Sequence, residues 1–329
     1  MFGMGTGVAP WESGHQASGT IAAAPEGVNK NPAEGRELCY SPRVALRIAV
    51  PNKGRLAEEA LEALRSVGIR VGHPSDRTLL ASANGGRYQV LFSRAQDIPE
   101  FVEFGAADLG ITGLDLLRET GCTVEKVFDF SFGQCRLVVA APDDSKIASL
   151  DDVPAAAKVA TSFPNVTRAW FAARKKNVRI VPVSGAAEVT PRIGVADLVA
   201  DLTQTGSTLK QNHLSLVDVI LDSWAVLLAG REALRKKHGE IDDLIHAFAG
   251  VQAASRKRYL MANVRKKKVA EIGRIIPGLS APTVMQLATA GMVAVHAVVD
   301  EDELTTVIPK LKRAGATGIL VLPIERLIP

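Results

Sequence analysis

From Val44 onward, short apolar runs alternate with stretches whose apolar residues recur every three or four positions, and this predicts strands alternating with helices. Val44 to Val50 reads as a strand. Leu56 to Val67 reads as a helix with Leu56, Ala60, Leu61 and Leu64 on one face, and Tyr88 to Phe92 as a second strand. A short helix over Ile98 to Phe104, a strand over Leu109 to Thr112, a helix over Leu114 to Glu119 and a strand over Arg136 to Ala141 continue the series. Pro142-Asp-Asp-Ser145 breaks it, and Lys158 to Thr161 opens a second unit. There Thr167 to Lys176 and Glu188 to Val195 have helical spacing, Val178 to Val183 is extended, and Val195 to Leu202 reads as a buried strand of parallel type. The pattern is a parallel α/β one, in two lobes with a cleft between them.

After about Ser255 the rhythm changes. Strand Arg258 to Val264, helix Lys267 to Ile275, strand Thr283 to Leu287, strand Val293 to Val299, helix Glu301 to Ala314 and strand Gly318 to Leu322 give a βαββαβ order, which is ferredoxin-like. Residues 1 to 43 show no sustained period and are dominated by Gly, Ala, Pro, Ser and Asn, so a mobile extension is expected there.

Composition narrows the function classes. The 329 residues suggest two or three domains, and 47% hydrophobic residues supply ample core. No apolar run approaches the ~18 residues that cross a bilayer, and no basic-then-apolar leader opens the chain, so a cytoplasmic enzyme without membrane contact is expected. Cys39, Cys122 and Cys135 lack metal-ligand spacing and cannot all pair, which fits a reducing compartment. The net charge of +4 comes without a dominant basic stripe, and three Trp and three Tyr offer few stacking platforms, which argues against nucleic acid.

The chemistry concentrates after the Val195 to Leu202 run. In Asp201-Leu-Thr-Gln-Thr-Gly-Ser-Thr208 the hydroxyls and backbone N–H groups around Gly206 form a cradle suited to a dianionic phosphate, with a helix expected from Leu209 to add partial positive charge. Asp201 cannot face that phosphate without repulsion, so it suits the hydroxyls of an attached ribose. The same residues also suit a polar turn before a capped helix.

This loop resembles the phosphoribosyl-diphosphate motif of phosphoribosyltransferases. Arg47-Ile-Ala-Val-Pro-Asn-Lys-Gly-Arg-Leu56 is similar to the opening strand and turn of ATP phosphoribosyltransferases, the first enzymes of histidine biosynthesis. Arg94 to Pro99, Ala107 to Gly113, Gly133 to Leu137, Val159 to Pro164 and Ala187 to Arg192 match the family's segments in order. The resemblance covers Val44 to the C-terminus in the family's long form. It implies a bilobal periplasmic-binding-protein-like catalytic region plus a C-terminal ACT-like domain. Lobe I would span 44–140 with a return segment 223–254, lobe II 141–222, and the regulatory domain 255–329.

The implied reaction joins N1 of ATP to C1 of phosphoribosyl diphosphate and expels pyrophosphate, with Mg²⁺ on the diphosphate. Lys53, Arg55 and Arg136 are candidates for the departing diphosphate, with solvated turn charges or an interlobe ion pair as alternatives. Glu188 would meet a ribose hydroxyl or Mg²⁺, or else serve a helix first turn. Asp201, Thr203, Thr205, Gly206, Ser207 and Thr208 would hold the ribose phosphate, and Arg94, Asp97, Asp108 and Gly113 would line the nucleotide side, although Asp97 also suits a helix cap. Thr161 and Ser162 form a second anion turn or a cap. Asn263, Leu279, Thr283, Val298 and Gly318 are candidates for binding histidine as feedback inhibitor, with AMP as a second inhibitor, and the family implies dimers assembling into hexamers. A non-catalytic bilobal binding protein and an amino-acid sensor are the competing classes; neither explains the loop and the Lys-Gly-Arg turn together.

Overall fold

A computed structural model of the chain describes residues 45–72, 79–276 and 282–328. Three sheets organise it. The first contains β1 (Leu46–Pro51), β2 (Leu80–Ala83), β3 (Tyr88–Ser93), β4 (Leu109–Gly113), β5 (Glu125–Asp129) and, from far along the chain, β11 (Ala225–Ala229). Its order is β2-β3-β1-β4-β11-β5. β3, β1 and β4 are parallel, whereas β2 and β11 run antiparallel to their neighbours. The helices α1 (Ala57–Ser66), α2 (Ile98–Glu103) and α3 (Leu114–Thr120) connect its strands, and α6 (Arg231–Ala254) packs on it.

The second sheet takes β6 (Cys135–Pro142), β7 (Lys158–Thr161), β8 (Arg179–Pro182), β9 (Leu198–Thr203) and β10 (Leu214–Ser223) in the order β10-β6-β9-β7-β8, with α4 (Pro164–Ala173) and α5 (Ser207–Gln211). The chain thus crosses between these sheets twice, after β5 and again at Trp224 between β10 and β11. This is the bilobal, periplasmic-binding-protein-like arrangement. The third sheet, β13-β14-β12-β15, is made of β12 (Lys257–Arg265), β13 (Thr283–Gln286), β14 (Met292–Asp300) and β15 (Thr317–Pro323). With α7 (Val269–Ile275) and α8 (Leu304–Arg313) on one face it has the ferredoxin-like order.

Apolar runs became strands where both faces of a sheet are covered. Leu46, Ile48 and Val50 pack with Leu64, Ile69, Leu109, Ile111 and Leu227, all at 3% exposure or less, and each such side chain contributes about 1.5–3 kcal/mol by leaving water. On the other face, Ala49, Ile98, Val102 and Leu228 form a separate cluster.

Several expectations are corrected. β2 and β5 carry no strong apolar period: β2 is four residues at a sheet edge, and β5 places Val127 and Phe128 among charges. The helix expected over Glu188 to Val195 is a single 3₁₀ turn, Ala187–Val189, ended by Pro191 and by Gly194 at φ +73°. The helix expected from Leu209 starts at Ser207 and lasts one turn, because His213 at φ +56° turns the chain and Leu214 enters β10. α4 begins three residues early, with Pro164 in its first turn.

Gly110 and Gly113 are required by packing. A Cβ on Gly110 would sit 2.4 Å from Ile98 Cγ2 and 2.8 Å from Val102 Cγ2, and one on Gly113 would sit 2.0 Å from Asp115 Oδ1. Gly110→Ala should therefore overpack the α2–β4 contact and lower unfolding free energy by about 1–3 kcal/mol. Chemical denaturation checks this, and an unchanged midpoint would show that α2 can move aside.

Candidate active site

The C-terminal end of β1 enters a turn in which Asn52 N–H bonds the Ser93 carbonyl at 2.8 Å and Gly54 takes φ +87°. That conformation suits glycine, and it swings Arg55 back beneath the strand ends, where open α/β sheets collect ligands. Lys53 is exposed on the same turn. Arg55 is three-quarters covered: its guanidinium donates to the Gly133 carbonyl and lies 3.7 Å from Asp115.

Opposite it, the loop after β9 is organised by its own hydroxyls. Gly206 N–H donates to Thr203 Oγ1 at 2.9 Å, Thr205 and Ser207 hydroxyls lie 3.0 Å apart, and Gly206 takes φ +75°. Arg55, Cys135, Leu202, Thr203, Gln204, Thr205, Ser207 and Thr208 line one cavity of about 210 Å³. One guanidinium thus faces five hydroxyl- or amide-bearing residues across the space between two sheets. Since α5 is only one turn, its macrodipole is small, and the positive charge and donors facing the cavity come from Arg55 and from the loop's own hydroxyl and N–H groups.

Asp201, on β9, turns its carboxylate to the face carrying the Ala187–Val189 turn. Leu202 N–H donates to Asp201 Oδ1 at 2.8 Å. Burial, with the charge of Glu188 adding to it, pushes the Asp201 carboxyl above the usual range. Glu188 lines a separate cavity of about 510 Å³ with Asp143, Asp144, Arg192, Asn212 and His213. Among the described residues, no group of three or more His, Cys, Asp or Glu is placed to hold a metal ion.

The remaining candidates divide. Arg94 is exposed at the C-terminal end of β3, and Asp97 precedes α2 without a side-chain capping bond, so the cap alternative fails for it. Arg136 borders Thr203 in the sheet and pairs with Asp222 at 3.2 Å; both are well exposed and both lie in the second sheet, so the pair is cross-strand and not interlobe. Ser162 is half-buried beside β7. Thr161 is fully buried, and its hydroxyl accepts from Phe163 N–H at 2.9 Å, so it shapes the turn. Asp108 is also withdrawn: it sits before β4, at the N-terminal edge of the parallel strands, and accepts from Arg47 N–H and Lys237 Nζ, each at 2.7 Å. Gly113, as above, makes room for Asp115.

Three residues escaped the sequence reading. Asp115 is fully buried, Ser223 bonds it at 2.8 Å, and Glu119 reaches from α3 to accept the N–H groups of Asn165 at 2.9 Å and Val166 at 3.0 Å at the start of α4. The only signal for Asp115 was a carboxylate between leucines after a glycine-bearing strand. Glu119 and Ser223 gave none, because their partners lie 46 and 108 positions away.

In the third sheet, a Cβ on Gly318 would lie 2.8 Å from Asn263 Nδ2, so those two candidates meet. Thr283 pairs with His296 and Val298 with Tyr259 on the face opposite the helices. Leu279 lies outside the described residues. The same face exposes Tyr259, Met285, Leu320 and Leu322.

A family profile described as "ATP phosphoribosyltransferase" matches residues 94–250, and one described as "HisG, C-terminal domain" matches 254–326. The ATP phosphoribosyltransferase of Methanothermobacter thermautotrophicus is 45% identical over 285 residues, covering 86% of this chain and 99% of that protein. That of Gemmatimonas aurantiaca is 47% identical over 292 residues, covering 86% and 100%. The chain belongs to the ATP phosphoribosyltransferase family. Among solved structures, a chain of the ATP phosphoribosyl transferase (HisG:HisZ) complex from Thermotoga maritima superposes with a TM-score of 0.55 at 28% identity, covering 62% of this chain and 96% of that one. Of the residues lining the 210 Å³ cavity, Cys135, Leu202 to Thr205, Ser207 and Thr208 fall within the matched residues 94–250. No helix among the described residues is long and apolar enough to cross a membrane.

The raised carboxyl of Asp201 has a signed consequence for stability. A folded-state value above the unfolded one favours the native state most at low pH, and this contribution is lost as pH rises through the folded value. Asp201→Asn, which resembles the protonated acid, should raise the thermal midpoint more at about pH 8 than at about pH 4. Calorimetry at the two values checks it; an equal or smaller gain at the higher pH would contradict the burial cost.

Proposed function

We propose that this chain performs its family's reaction, joining N1 of ATP to C1 of phosphoribosyl diphosphate with release of pyrophosphate. The observation that carries the reading is the shared cavity of Arg55 and the Thr203–Thr208 loop. The N1–C1 bond forms while the C1–O bond breaks, and the bonding pair leaves with the diphosphate. Adenine N1 is a weak nucleophile, so the barrier falls through alignment and through stabilisation of the leaving charge. The loop donors hold the 5-phosphate, which fixes C1, and Arg55, with Lys53 two residues before it and Arg136 opposite Thr203 in the second sheet, meets the negative charge that develops on the diphosphate. Asp201 and Glu188 accept from ribose hydroxyls. Arg94 and Asp97 border the nucleotide side, with Ser162 on the facing sheet.

Among the described residues no cluster of carboxylates, His or Cys would hold a metal ion unaided, so the magnesium ion would be carried mainly by substrate oxygens, with Glu188 as a candidate protein ligand. When bound, Mg²⁺ neutralises diphosphate charge. The ferredoxin-like domain (255–329, after catalytic lobes over 44–140 with 223–254 and over 141–222) is read as the site of histidine inhibition, through Asn263, Gly318, Thr283 and Val298, with AMP as a second inhibitor. Its apolar open face suits self-association into dimers and hexamers. The expected compartment is the cytoplasm.

Pyrophosphate release from ATP plus phosphoribosyl diphosphate and Mg²⁺ tests the activity, and absence of release by folded protein would reject it. Arg55→Ala should lower kcat by about a hundredfold or more, and Asp201→Asn should lower kcat/KM for phosphoribosyl diphosphate by about tenfold. Thr283→Ala should relieve inhibition by histidine while sparing basal turnover; retained inhibition would move the regulatory site elsewhere.

A further inference from the structure

We propose that Asp115, held by Ser223 at the crossing between the two sheets, is a positioning residue that fixes the Arg55 guanidinium in the phosphate cavity. The inference rests on reading Arg55 as the group that meets the diphosphate. Asp115 opens α3, is 1% exposed, and is fixed on two sides: its N–H donates to Ser223 Oγ at 3.0 Å, and that hydroxyl donates to Asp115 Oδ1 at 2.8 Å. Gly113 lacks the Cβ that would collide with Oδ1. The second oxygen, Oδ2, is buried, accepts no hydrogen bond, and lies 3.7 Å from Arg55 Nη2.

A buried carboxylate oxygen left without a donor is costly. Here it is directed at Arg55, whose guanidinium also lines the cavity. The separation exceeds a hydrogen bond, so the carboxylate orients the guanidinium without engaging it in a closed fork. Gly133 supplies the other fixed point through its carbonyl. Between these two, Arg55 is pre-set toward Thr203, Thr205, Ser207 and Thr208 before substrate arrives. Ser223 adds a link to the other sheet: it ends β10, pairs with Cys135 of the cavity wall, and immediately precedes the crossing at Trp224. The position of Arg55 is thereby coupled to the second sheet through Asp115 and Ser223.

A double-mutant cycle on the full chain tests this, using pyrophosphate release for turnover and pyrophosphate itself as an inhibitory probe. Asp115→Asn keeps an acceptor for Ser223 but removes the charge that faces Arg55. It should lower kcat about 10–100-fold and weaken pyrophosphate inhibition similarly, with KM for ATP unchanged. In an Arg55→Ala background it should change kcat by less than about twofold. Losses that multiply, or a lowered thermal midpoint with unaltered kcat and pyrophosphate inhibition, would make Asp115 a structural residue only and overturn the proposal. If circular dichroism shows that Asp115→Asn does not fold, Ser223→Ala takes its place in the cycle with the same criteria, and Ser223→Thr should restore turnover. Full turnover by Arg55→Ala would instead remove the reading of Arg55, and the positioning role with it.

Discussion

Two short crossings join the first and second sheets, and the site exists only at the angle they set. Around them the backbone is closely tied: Leu114 N–H bonds the Trp224 carbonyl at 2.9 Å, Phe130 N–H bonds Ala225 at 2.9 Å, and Ala225 N–H bonds Phe132 at 3.1 Å. β11 then runs antiparallel between β4 and the edge strand β5, so the chain leaving the second sheet is locked between two strands of the first. Away from the crossings, Glu119 bridges the sheets by supplying a carboxylate to the N-terminus of α4, where the exposed N–H groups would otherwise face solvent. Arg55 and the phosphate loop belong to different sheets, and their common cavity is a product of this joinery.

Charge is arranged around that cavity with economy. The loop satisfies several of its own hydroxyls, which orders it before ligand arrives, and one guanidinium is brought in with a buried carboxylate beside it. Asp201 and Glu188 are close enough for the charge of one to raise the carboxyl of the other, and neither lines the cavity that Arg55 and the loop share. Cys135 stands in the cavity wall as a packing residue, its thiol pushed up by burial. Charges that seemed eligible from their order in the chain are used elsewhere: Asp108 and Lys237 tie β4 to α6 at the opposite end of the sheet.

The long apolar and periodic segments were legible without a structure. β1, α1, β4, β6, β7 and β9 follow from spacing, because a strand covered on both faces and a helix with one buried stripe each impose their own period. The βαββαβ order of the last quarter was equally plain, and so was the Thr-Gly-Ser-Thr cradle, since its donors lie within one loop. Segments that fold because of distant neighbours were not legible. β2 and β5 are recruited by edges already present, and the Glu188–Val195 stretch keeps helical spacing yet yields to Pro191 and Gly194.

By itself the sequence determined which residues are core, where the hydroxyl-rich Thr203–Thr208 loop sits, and which family the ordered motifs resemble, because each depends on local chemistry or short-range period. Only the tertiary structure decided that Arg55 faces the loop, that Asp115 and Ser223 meet across 108 positions, that Thr161 and Asp108 are structural, and that Gly113 serves a carboxylate. Each of those is a contact between sheets, between far-apart strands or around a turn. Its existence rests on the crossing angle and the strand order, and no window of sequence contains either.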